Sequence, residues 1–104
     1  MAKFEETPTR LRVELGMPKF NGSVAVFDKS TGMARIEQTN LFFKSRPREF
    51  PLAEIAAIRL VKASQAAAYP QIVMRDGKRH SLPSFSIRDA QEAVPRMTAF
   101  LGTD

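Results

Sequence analysis

Apolar and polar positions along the chain fall into two regimes. From residue 10 to residue 83 they come in short stretches, several of them alternating, with turn residues between. From residue 86 to residue 102 they repeat with a helical period. In the second regime Ile87, Ala90, Ala93, Val94, Met97, Phe100 and Leu101 share one face. At 100° per residue that face is about 140° wide, the stripe of a helix packed on a core. Ser86, with Asp89 three residues on, predicts an N-cap whose hydroxyl accepts from otherwise unpaired amides. Gly102 predicts the left-handed residue that ends the helix. Pro95 cannot donate to the carbonyl of Gln91. It falls on the outer face, so the expectation is one kinked helix rather than two.

The first regime reads as strands. Leu11, Val13 and Leu15 alternate with Arg10, Arg12 and Glu14, the pattern of a half-buried strand. Residues 16–22 read as a loop, with Gly and Pro as breakers and Met17 and Phe20 as large apolar residues within it. Residues 23–28 and 33–37 form the next strands around a turn at Lys29-Ser30-Thr31-Gly32, and residues 41–45 another, broken by Arg46-Pro47-Arg48. Residues 52–62 have apolar spacing that also suits a helix. The β-branched residues and the strands on either side favour a turn over 52–55 followed by a strand. Residues 69–75 and 78–82 flank Asp76-Gly77, the signature of a two-residue hairpin turn. Residues 1–9 are charged and contain Pro8, and read as an N-terminal arm or an edge extension.

Seven short strands followed by one apolar-faced helix make a small sandwich or barrel closed at one end by the helix. The strand order, the phrase Phe50-Pro51-Leu52-Ala53-Glu54-Ile55 before a strand, the hairpin Ile72-Val73-Met74-Arg75-Asp76-Gly77-Lys78-Arg79 and the capping helix together resemble a bacterial pleckstrin-homology-like domain. The resemblance covers roughly residues 10–101, within a single domain over 10–102. It implies a mainly β, seven-stranded, bent antiparallel barrel or roll capped by one C-terminal helix. It also implies a binding module for lipids, peptides or further copies of itself, rather than a catalyst.

Composition narrows the classes of function. With 104 residues, one domain is expected. The apolar runs are far shorter than the ~20 residues that span a bilayer, and the first residues lack an apolar signal core, so a cytoplasmic location is expected. The absence of cysteine removes disulfides, thiolate metal sites and cysteine nucleophiles. His80 is the sole histidine, and neither a triad nor a zinc site assembles around it from local spacing. The five glycines form no phosphate loop. No enzyme activity, cofactor or metal is therefore expected.

Two surfaces remain as candidates. The net charge of +5 is concentrated in part at Lys44, Arg46 and Arg48 and around the hairpin at Arg75, Lys78 and Arg79. These are candidate contacts for an anionic membrane lipid. Across a two-residue turn Arg75 and Lys78 would face each other, and a bound anion would relieve their repulsion. Lipid-binding pleckstrin-homology domains usually place their cations in and after the first hairpin loop, where this chain has only Lys19. Nucleic acid is not expected as a partner, because Phe42, Phe43 and Tyr69 read as core rather than as a stacking platform. Met17 and Phe20, with an exposed strand edge, are the candidate contacts for a protein partner or a second copy in a homo-oligomer. A non-catalytic interaction or self-association module is the leading expectation. A peripheral adaptor for anionic membranes is the alternative.

Overall fold

The computed structural model describes residues 2–17, 21–40, 43–44, 46–83 and 86–103; for Met17, Asn21, Asn40, Phe43 and Lys44 it describes the backbone only. Its elements are strands β1 (Lys3–Glu6), β2 (Arg10–Met17), β3 (Asn21–Asp28), β4 (Met33–Asn40), β5 (Phe43–Lys44) and β6 (Arg48–Pro51). A single 3₁₀ turn (Leu52–Glu54) leads to β7 (Ile55–Lys62), β8 (Ala68–Met74), β9 (Arg79–Ser81) and the helix α1 (Ile87–Leu101).

All the pairings are antiparallel and fall into two sheets. The first runs β1-β2-β3-β4, with β5 and β6 both on the far side of β4. The second runs β7-β8-β9. Strands β5 and β6 are two parts of one interrupted edge. From Thr39 to Ile36 the chain takes three steps, while from Lys44 to Arg48, opposite, it takes four. The extra residue accommodates Pro47, which has no amide to give a ladder. Counted this way the described residues form eight strands, not the seven expected, and among them the two sheets do not join into a closed barrel. The eighth strand is β1. The edge-extension reading of the arm over residues 1–9 holds for Lys3–Glu6, where the register Phe4↔Val13 adds a strand beside β2.

The core is the shared interior of both sheets and the helix. Leu11, Val13, Leu15, Phe27, Ile36, Ile55, Ile72, Leu82 and Met97 are all sealed from solvent. Register explains how the sheet packs. On the inner face Leu11 lies opposite Phe27, Phe27 opposite Ala34, and Ala34 opposite Phe50, so a small residue separates two rings. Helix α1 lies on β7 and β8 and reaches β2. Its buried face is Asp89, Ala90, Ala93, Met97 and Phe100, the expected stripe with an acid at its start. Ser86 accepts from the amides of Arg88 and Asp89 at 3.2 and 3.4 Å, and Gly102 takes φ 70° at the C-cap. The helix is continuous through Pro95, which is exposed as its outer position required. Lys29 over the Phe100 ring (4.4 Å) and Arg96 over the Phe4 ring (4.1 Å) fasten the helix to the first sheet.

Two local expectations give way. Of the loop expected over residues 16–22, the described residues are ladder, Gly16 pairing with Gly22 and Met17 with Asn21, and residues 18–20 lie outside the described residues. The hairpin after β8 has three loop residues rather than two. Met74 donates to the carbonyl of Lys78 (2.8 Å), and Gly77, at φ 92°, donates back to that of Met74 (3.0 Å). Asp76 accepts from the Lys78 amide at 2.9 Å and holds the turn. Arg75 and Lys78 therefore do not face each other. Replacing the sealed Phe27 by Ala should cost about 3–5 kcal/mol, and Ser86→Ala about 1 kcal/mol through the lost cap. Urea unfolding of both variants checks this order.

Candidate functional site

The two sheets meet along one side where β6 and β9 approach. Arg48 is the link. Its Nη1 donates to Nδ1 of His80 at 3.3 Å, and its Nη2 donates to the Gln38 side chain at 3.3 Å and the Ser81 carbonyl at 3.2 Å. His80 lies flat on the Phe50 ring, centroids 4.5 Å apart and 9° from parallel. One guanidinium thus ties the paired strands β4 and β6 to β9, to which no backbone ladder joins them among the described residues. Ser23 closes the neighbouring gap by donating to the Pro83 carbonyl at 3.1 Å.

This arrangement explains two electrostatic effects. Burial pushes the His80 imidazole below its ordinary pKa, and the nearby Arg48 cation adds to the push. Asp76 acts the other way, and Lys78 reinforces the lowering. Burial also pulls the Arg48 guanidinium down from its ordinary value, yet it stays a cation at any physiological pH. His80 is thus held neutral, with Nδ1 as an acceptor.

Beside the seam lies a cleft of about 320 Å³ with Phe50 and Met74 among its walls. Its charged groups are Glu49, Glu54 and Asp76 against Lys78, with His80 at one side. Three carboxylates beside the hairpin are the reverse of an anion pocket. The sequence hid this because Glu49 and Glu54 come from β6 and the following 3₁₀ turn, and only sheet packing brings them to the β8–β9 hairpin.

The expected basic contacts are separated by the fold. Arg48 is half-buried and turned into the seam. Arg75 is exposed, but its Nε donates to the Ala53 carbonyl and its amide to that of Glu54, both at 2.8 Å. Arg46, Lys78 and Arg79 are exposed. Lys44 lies in β5, and its side chain is outside what the structure describes. Of the expected partner contacts, Met17 ends β2, its side chain likewise undescribed, and Phe20 lies outside the described residues.

The expected strand edge is found at β7, an eight-residue strand (IAAIRLVK) at the end of its sheet. Hydrogen bonds elsewhere fix which of its backbone groups are open. Met74 donates to Lys78 and Leu82 to Pro70, so Pro70, Ile72 and Met74 turn their backbone groups toward β9. Tyr69, Gln71 and Val73 then turn toward β7 and engage Val61, Arg59 and Ala57. Ile58, Leu60 and Lys62 are left with amide and carbonyl aimed away from β8. The same alternation explains Pro70 inside a central strand, since its missing donor falls where β9 has just ended. Leu60 is 38% exposed, one of two large apolar side chains so open among the described residues.

Among the described residues no group of three or more acidic, histidine or cysteine side chains is placed to hold a metal ion. No helix among them is long and apolar enough to cross a membrane. Compared with protein-family models, with curated proteins and with solved structures, the chain finds no match in any of the three.

The seam makes stability depend on pH with a definite sign. A histidine whose pKa is lowered by folding binds its proton more readily when unfolded. Its contribution is therefore complete above the unfolded value near 6.5 and is lost as pH falls from there through the folded value. Unfolding midpoints should fall between pH 7 and pH 5 (about the range in which only histidine titrates), and His80→Phe, which keeps a ring on Phe50, should flatten that slope. Thermal melts across the range give the comparison.

Proposed function

We propose that this chain is a non-catalytic interaction module of pleckstrin-homology-like architecture, working in the cytoplasm by adding an extended strand to the open edge of β7, with self-association as its primary use. The observation that carries the reading is that edge: eight residues, mostly apolar, with three successive outward backbone pairs and exposed Leu60. Natural edge strands are usually short, covered, bulged or heavily charged. This one has a bulge only at its start, between Ile55 and Ala57, and is open from Ile58 onward. The architecture supports the family resemblance in one respect. With β1 set aside and β5–β6 counted once, four strands precede three, and the helix follows.

Strand addition takes its affinity from main-chain hydrogen bonds and its selectivity from alternate side chains. Both are available here without any catalytic group. The membrane-adaptor alternative has less to work with, because Arg48 is committed to the seam and the hairpin cleft is rich in carboxylates.

A proline at position 60 is the direct probe. The Leu60 amide points away from β8, so Leu60→Pro removes an outward donor and leaves the ladder to β8 intact. Sedimentation velocity from tens of micromolar to about a millimolar should show association of the native chain weakening at least tenfold in the variant. The circular dichroism spectrum should be unchanged. A native chain that stays monomeric throughout would remove self-association as the function.

A further inference from the structure

We propose that the strand received by the edge of β7 is β1 of a second copy of this chain. The inference rests on the strand-addition reading and names its occupant.

The first argument is charge. Strand β7 carries Arg59 and Lys62, both exposed, and has no acid. In any pairing of β7 with another β7, neither cation meets a carboxylate. Strand β1 (KFEE) carries Glu5 and Glu6, both exposed, and lies at the end of the first sheet with its outer side unpaired among the described strands.

The second argument is backbone parity. Thr7 donates to the Arg10 carbonyl at 2.8 Å, which sets the alternation of the β1–β2 ladder. Lys3 and Glu5 turn their backbone groups to β2, and Phe4 and Glu6 turn theirs to the open side. An antiparallel ladder needs outward residues to oppose outward residues. Placing Phe4 opposite Leu60 and Glu6 opposite Ile58 satisfies this. It also puts Glu5 opposite Arg59 as a non-hydrogen-bonded pair, the kind in which side chains come closest.

The third argument is the side-chain faces. Phe4 lies opposite buried Val13 and packs toward the core. Leu60 shares its face with buried Ile58. The register that satisfies the backbone therefore joins two apolar side chains on the core side and an opposite-charge pair on the outer side. A single register meets all three conditions.

Every copy carries both halves of the junction, so contact between copies is head to tail unless two junctions close reciprocally. A charge swap tests the contact in either case. Glu5→Arg and Arg59→Glu should each weaken association about tenfold, and the double variant should recover to within about twofold of the native chain. An equimolar mixture of the two single variants should form a mixed dimer, since the new cation on β1 of one chain then meets the new carboxylate on β7 of the other. Glu5 also faces Arg12 across the β1–β2 ladder, so Glu5→Arg can perturb β1 itself. If its circular dichroism changes, Arg59→Glu and the uncharged Glu5→Gln decide the matter, and both should weaken association.

Singles that associate like the native chain, or singles that weaken without rescue in the double variant, would overturn the proposal. If Leu60→Pro abolishes association while the charge variants do not alter it, β7 takes another strand, and only the choice of β1 fails. A monomeric native chain would overturn both readings together.

Discussion

The fold depends on burying the apolar stripe of α1 against two sheets at once. Neither sheet closes on itself. The first leaves Leu11, Val13 and Leu15 facing inward, and the second leaves Ile55, Ile58 and Ile72. Between them lies a gap that no backbone ladder spans. Met97 and Phe100 fill it from the helix, with Ala90 and Ala93 allowing close approach. Because the stripe is short, its ends must be held well. Ser86 and Gly102 satisfy backbone groups that would otherwise be orphaned beside the core. The Ile87 amide bonds to the Ala66 carbonyl at 3.1 Å and anchors the helix start to the β7–β8 connection.

On the other side of the molecule the same problem is solved with polar groups. Arg48 spans from β6 to β9, and His80, stacked on Phe50, accepts from it. A half-buried cation costs desolvation and stabilises only when its donors are used. Here Gln38, His80 and the Ser81 carbonyl use them. The arrangement requires a neutral imidazole, which links the closure of the sheets to the protonation of one residue. Helix burial on one side and a guanidinium on the other hold two open sheets into one body. Its radius of gyration is 12.6 Å, close to the about 13 Å of a compact chain of this length.

An open architecture leaves edges. A closed barrel would have none, whereas two sheets of this size have several. The edge at β4 is covered by β5 and β6, and β9 is short and tied to Arg48. Among the described residues the outer edges of β1, which is short and charged, and of β7, which is long and mostly apolar, carry no further strand. They are opposite in charge and compatible in backbone parity, and these properties carry the functional reading. The reading does not depend on a pocket, and the cleft beside the hairpin, with three carboxylates facing one lysine, does not supply a competing one.

The helix was legible in the sequence because its signals are local. Stripe, N-cap, C-cap glycine and the outward proline lie within seventeen residues and depend on nothing beyond them. Most strands were legible for the same reason, including the turn before β7, where β-branched residues outweighed a helical spacing; β6 was not, since Arg46-Pro47-Arg48 reads as a break, and of the strand expected over 41–45 only residues 43–44 are described. What lay beyond the sequence was everything set by residues far apart. The sequence left the N-terminal segment as an arm or an edge extension, and the choice depends on β2 presenting a free edge. The three-residue turn at Gly77 depends on whether Met74 or Arg75 closes the ladder, and the Arg75 amide is instead taken by the Glu54 carbonyl, 21 positions earlier. Arg48 resembled a surface cation beside a proline, and only the approach of β9 made it a structural one. Leu60 alternates like a core residue, and its exposure follows from where the sheet ends. Local patterning chose the elements, because propensity and periodicity act over a few residues. Sheet order, edges and the use of each charge were decided by tertiary packing, because burial and pairing are properties of neighbours that the linear sequence keeps apart.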